Sequence, residues 1–194
     1  VSEASGARNA DVVLFCVKSM DTESAGRQLQ PFLRPGTLVL CLQNGVDNAD
    51  RLRAVLPGHA VAACVVYVAT EMAGPGHLKH HGRGELVIEP AAASQDAARA
   101  FTGAGVPAEI SDNVRGALWL KLVLNSAYNA VSAIAQQPYG ETVKGEGIRD
   151  VMRDVIEECR AVARADGVQV PGDAHAAARK LVESIPTQYS STAQ

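Results

Sequence analysis

Three short runs of branched apolar residues fall in the first third of the chain: DVVLFCV at Asp11 to Val17, TLVLCL at Thr37 to Leu42, and the run from His59 to Thr70 that contains AVAACVVYVAT. Each is too short to cross a membrane and too continuously apolar for a strand with one wet face. Each therefore predicts a strand buried on both faces of a parallel sheet. Helical stretches separate them, Thr22 to Leu33 stopped by Pro35-Gly36, and Asp47 to Leu56 with an acidic first turn. Strand, helix, strand in this order implies right-handed parallel crossovers. Next come GPG at Gly74 to Gly76, a short segment around Leu78, the turn HGRG and a strand from Glu85 to Ile88, together predicting an antiparallel hairpin. A helix over Ser94 to Phe101 and a short strand near Ala108 to Ser111 follow.

After Asn113 the strand signals stop. What remains is a helix from Gly116 to Ala135, a long one from about Lys144 to Ala165 and another from about Asp173 to Glu183. An α/β half followed by an all-α half predicts two domains, residues 1–113 and 114–194. With 194 residues, 47% of them hydrophobic, the chain can bury a real core. The net charge of -3 arises from intermixed acids and bases, which excludes a basic stripe for nucleic acid. No apolar run approaches the roughly 20 residues of a membrane span and the first ten residues lack a signal-peptide pattern, so a cytoplasmic location without a membrane partner is the expectation. Cys16, Cys41, Cys64 and Cys159 have no CxxC spacing and read as reduced, structural thiols. The first strand arrives with almost no lead-in and no GxGxxG loop is present. The chain is thus expected to be an internal portion of a longer protein, lacking N-terminal strands of the sheet and the extreme C-terminus.

In an open parallel sheet, ligands bind beyond the carboxyl ends of the strands. Lys18 follows the first strand and Asn44 the second, so both point to one rim. Taken singly, Lys18 reads equally as a solvated lysine and Asn44-Gly45 as a turn. The sharper feature is GALWLKLVLNSAYNAVSAIA at Gly116 to Ala135, whose polar interruptions Lys121, Asn125 and Asn129 recur at every fourth residue. At about 3.6 residues per turn they form one polar row on an otherwise apolar helix. An ammonium and two amides in such surroundings are costly unless something meets them, which predicts a site. The competing reading is helix–helix hydrogen bonding. A lysine among apolar residues has its pKa lowered, can hold an anionic substrate and can give up a proton, which suits a general acid. His77, His80 and His81 fit no zinc pattern, so no metal is expected, and no nucleophile motif of a hydrolase is present.

The segments VKSMDT (Val17 to Thr22), QNGVDN (Gln43 to Asn48), GPGHLKH (Gly74 to His80) and above all LWLKLVLNSAYNAVSA (Leu118 to Ala133) resemble those of the ketopantoate reductases, which reduce a 2-keto acid with NADPH on the path to pantothenate and coenzyme A. The resemblance implies a partial Rossmann-like parallel-sheet domain followed by a helical C-terminal domain like that of 6-phosphogluconate dehydrogenase. It implies Lys121 as proton donor to the keto oxygen, and Asn125 and Asn129 as substrate ligands. Lys18, Asn44 and Thr70 become NADPH contacts, with Asn44 also near substrate. The closing SSTAQ resembles the family's SSM-Q segment and makes Ser191 the carboxylate-binding serine. Tyr139 departs from the family, standing where a polar residue is expected beyond the catalytic helix. Expected partners are a small 2-keto acid and, through the long helices, a second copy in a homodimer. A reductase of another 2-keto acid and a catalytically silent dinucleotide sensor remain open beside this reading.

Overall fold

A computed structural model describes residues 3–190. These divide into two compact units with the boundary between Val114 and Arg115. The first holds a five-stranded sheet in the order β1-β2-β3-β4-β5. Its strands are β1 (Val12–Phe15), β2 (Leu38–Cys41), β3 (Ala60–Gly74), β4 (His77–Ile88) and β5 (Ala108–Ile110). β1, β2 and β3 are parallel, with Val12 opposite Leu38 and Leu38 opposite Ala60. β3 and β4 are antiparallel, and β5 is parallel to β4. Helices α1 (Thr22–Leu29), α2 (Asn48–Val55) and α3 (Ser94–Gly103) connect them.

The core follows the period of two that a pleated strand imposes. Leu38, Leu40, Ala62, Cys64, Leu86 and Ile88 line one face of the sheet, where Ala97 and Ala98 of α3 cover them. Every residue of β2 is buried, as its unbroken apolar run predicts. β1 departs from the expectation of burial on both faces, for Leu14 is 50% exposed. The reason is position: among the described residues β1 is an edge strand paired on one side only.

The hairpin also corrects the sequence reading. Pro75-Gly76 makes the turn, and HGRG lies inside a continuous β4. Gly82, Arg83 and Gly84 all have positive φ, the backbone state that makes this stretch look like a turn. Their partner strand runs on through Gly74, so the extra residues are absorbed as register shifts near Tyr67/Val68 and Ala69/Thr70. The Arg83 guanidinium stacks 4.4 Å from the centre of the Tyr67 ring across this irregularity.

The second unit is helical: α4 (Val114–Ala135), whose first residue still belongs to the first unit, the short α5 (Tyr139–Thr142), α6 (Ile148–Ala165) and α7 (Ala174–Ser184). The expected start of α6 at Lys144 moves to Ile148, because Gly147 takes a left-handed conformation just before it. Val123, Ala127 and Tyr128 of α4 form its core with Tyr139, Met152, Ile156, Ala174 and Ala178. No helix among the described residues is long and apolar enough to cross a membrane.

Gly26 shows how closely the first unit is packed. A Cβ there would lie 2.7 Å from Val55 Cγ2 and 2.9 Å from Leu52 Cδ1 of α2. Overpacking of this kind costs about 1–3 kcal/mol. Gly26→Val is expected to lower the unfolding free energy from urea titration by that order; an unchanged value would show that α1 and α2 separate freely.

Candidate functional site

In the first unit, the loops after β1 and β2 are tied together by buried polar side chains. Gln43 Nε2 donates to Val17 O and to Thr22 Oγ1, both at 2.9 Å. The Thr22 hydroxyl lies 3.0 Å from Ser19 O and 3.2 Å from Asn48 Oδ1. Asn48 Nδ2 in turn donates to Asn44 O at 2.8 Å and to Ser19 Oγ at 3.1 Å. Thr22, Gln43 and Asn48 are all buried. Arg51 closes the network from α2: it donates to Ser19 O at 2.9 Å and grips the Glu23 carboxylate with two bonds of 2.7 and 2.8 Å. Gly45 is required here, with φ +114 and with Asn48 Nδ2 only 2.8 Å from where a Cβ would stand.

This network holds Lys18 and Asn44 at the carboxyl ends of adjacent parallel strands, with both side chains exposed. An ammonium and an amide, presented together from this rim, are groups suited to the oxygens of an anionic ligand. Thr70 is placed differently. It pairs with His80 on the two-stranded arm, seven residues past Ala63, where the pairing of β3 with β2 ends. The histidines lie on the same arm, where Glu71 binds Lys79 at 3.3 Å and His81 at 3.2 Å. Among the described residues no cluster of His, Cys, Asp and Glu could hold a metal ion. The cysteines are free thiols, and burial pushes Cys41 up to about 11, so it stays neutral. Cys16 is exposed, unlike the buried thiol its strand-like run predicts.

In the second unit, Lys121, Asn125 and Asn129 share one face of α4 and all three are half-buried. Successive members stand about 6 Å apart along the axis. Ser132 continues the same face, three residues on, and is fully buried. Its hydroxyl donates to Gln137 O at 2.7 Å and accepts from the Ser190 amide at 3.3 Å. The Gly140 amide donates to Pro186 O at 2.8 Å and the Tyr139 amide to Gln188 O at 3.0 Å, so residues 186–190 are laid against α4 and α5. Ser191 itself lies outside the described residues. The Tyr139 hydroxyl donates to Asn129 Oδ1 at 2.7 Å.

Sequence reasoning singled out two lysines and three asparagines as candidates and did not foresee the hydrogen bonds around them. Gln43, Thr22, Ser19 and Asn48 sit inside the VKSMDT and QNGVDN segments, where the only available signal was amides and hydroxyls beside buried strands. The bond from Tyr139 to Asn129 left no sequence signal, because it joins two helices across a turn.

Similarity to known proteins covers both units. The family model described as ketopantoate reductase PanE/ApbA matches residues 1–93, and that of the ketopantoate reductase PanE/ApbA C terminal matches residues 113–194. The 2-dehydropantoate 2-reductase of Halobacterium salinarum is 34% identical over 96% of this chain and 63% of its own length. The crystal structure of a PanE/ApbA family ketopantoate reductase from Ralstonia eutropha JMP134 superposes with a TM-score of 0.92 at 62% identity, over 100% of this chain and 64% of that one. A D-mandelate dehydrogenase solved with NADH shares the fold at 23% identity, with a TM-score of 0.86 over 95% of this chain and 64% of its own. The chain therefore spans just under two thirds of the length of these relatives.

The ion pair at the rim has a measurable signature. Hydrogen bonds from Arg51 hold Glu23 down from 4.5 to about 2. A folded-state pKa below the unfolded one means that the pair stabilises fully above about pH 4.5 and loses its effect as the pH falls towards about 2. Urea midpoints measured from about pH 5 to 2.5 are expected to fall less steeply in Glu23→Gln than in the unaltered protein. Parallel curves would show that the pair contributes nothing.

Proposed function

The chain belongs to the PanE/ApbA ketopantoate reductase family, and from that premise we propose that it is the core of an NADPH-dependent 2-dehydropantoate 2-reductase acting in pantothenate and coenzyme A biosynthesis. The observation that carries the reading is the half-buried row Lys121, Asn125, Asn129 on an apolar helix. Such a row fits a small ligand that is anionic at one end and gains a proton at the other.

The residues fit the cofactor as well. The rim formed after β1 and β2 offers Lys18 and Asn44 on loops held by buried hydrogen bonds, and Thr70 is the third contact in this reading, out on the arm. When bound, a nicotinamide dinucleotide supplies the hydride that converts the keto carbon to an alcohol. Lys121 donates the proton that the carbonyl oxygen takes up, and its positive charge stabilises negative charge developing there. Asn125 and Asn129 supply amide donors and acceptors to the carboxylate and hydroxyl of the substrate. Ser191 binds the carboxylate, and the bond from the Ser190 amide to Ser132 supports this by carrying the chain to the polar face of α4. Asn44 aids orientation of substrate beside the cofactor. In this reading the protein works in the cytoplasm.

A second reading, reduction of another 2-keto acid, is favoured by one observation. Tyr139 places a buried aromatic ring against Asn129, which narrows that end of the row.

The test is NADPH and NADH oxidation at 340 nm by the full-length gene product, with ketopantoate set beside a panel of other 2-keto acids. Preferred turnover of ketopantoate with NADPH is expected. Preference for another keto acid favours the second reading, and nucleotide binding without turnover points to a sensor. Lys121→Ala is expected to lower kcat about a hundredfold or more, as loss of a general acid does; unchanged turnover would remove Lys121 from the chemistry.

A further inference from the structure

Tyr139 is held from every side. Its ring lies 5.2 Å from that of Tyr128, tilted by 56°, and Tyr128 is itself anchored by donating to Ala178 O at 2.6 Å. Its amide donates to Gln188 O at 3.0 Å, and its neighbour Gly140 packs closely on the same segment, since a Cβ there would stand 2.9 Å from Pro186 O. Burial raises the phenol above its ordinary value, so it remains a protonated donor at neutral pH. A phenol has one proton to give, and this one goes to Asn129 Oδ1 at 2.7 Å.

An asparagine on a half-exposed helix face can turn its amide over and offer a ligand either the carbonyl or the N–H2 group. With Oδ1 engaged by Tyr139, turning over would let Nδ2 donate to the phenol oxygen and leave the buried phenol proton without its acceptor, at a cost comparable to a lost hydrogen bond. The amide is thereby fixed with its donors left for a ligand. We propose that Tyr139 is a positioning residue that presets Asn129 as a hydrogen-bond donor to a carboxylate or hydroxyl oxygen of the 2-keto acid. Through its backbone it also ties that donor to the segment at 186–190. The proposal rests on the reading of Lys121, Asn125 and Asn129 as a substrate site.

Tyr139→Phe removes only the hydroxyl and keeps the ring against Tyr128. In the full-length protein, with the keto acid that the unaltered enzyme prefers, KM for that acid is expected to rise at least about threefold. The kcat and the KM for NADPH should stay within about twofold and the melting temperature within a few degrees. In an Asn129→Ala background the same change should add less than about twofold, because the group it orients is gone. A smaller rise in KM, equal losses in kcat and nucleotide affinity, or full additivity with Asn129→Ala would each overturn the proposal while leaving the function intact. Absence of turnover by the unaltered enzyme on every keto acid would instead remove the function and the positioning role with it.

Discussion

The side-chain amide of Gln43 is the contact on which the arrangement of the first unit's rim depends. One nitrogen donates to Val17 O at the end of β1 and to the Thr22 hydroxyl that opens α1. That nitrogen therefore joins the exit of one parallel strand to the exit of the next. Polar groups buried here must be paired or they cost free energy, and the pairing by Thr22, Asn48 and Ser19 is mutual. Loops are ordinarily the most mobile part of an α/β unit. These two are instead tied to each other by side-chain hydrogen bonds, and Lys18 and Asn44 stand on the segments so joined.

The second unit solves the same problem differently. There a helix supplies the spacing, since every fourth residue of α4 returns to one face, and packing of Val123, Ala127 and Tyr128 on α6 and α7 decides which face stays open. The ends of the row are then trimmed by hydrogen bonds, from Tyr139 to Asn129 and between Ser132 and the segment at 186–190. Binding and catalysis gain from such preorganisation, because side chains already in place pay less entropy when the ligand arrives.

Much of this was legible in advance. The strand–helix alternation, the parallel pairing and the change to an all-helical half follow from hydrophobic period and length, which are local properties. The stretch His81 to Gly84 misled because positive-φ residues serve equally in turns and in bulges, and only the partner strand decides between them. Leu14 is half exposed because β1 is an edge strand among the described residues, and an edge position is a fact about neighbours, which no run of apolar residues encodes. Tyr139 read only as a departure from a family pattern; its bond to Asn129 joins residues ten apart through a bend at Gln136, whose φ is positive.

By itself, then, the sequence determined which elements form and on which of them the candidate residues stand, since residue type and helical or strand period are set within a few positions along the chain. The tertiary structure decided how those side chains are held: the Gln43–Thr22–Asn48 network, the grip of Arg51 on Glu23, and the phenol that orients Asn129. These are meetings between segments distant in sequence or turned back on one another, and a hydrogen bond's direction and distance exist only once the backbone has brought donor and acceptor together.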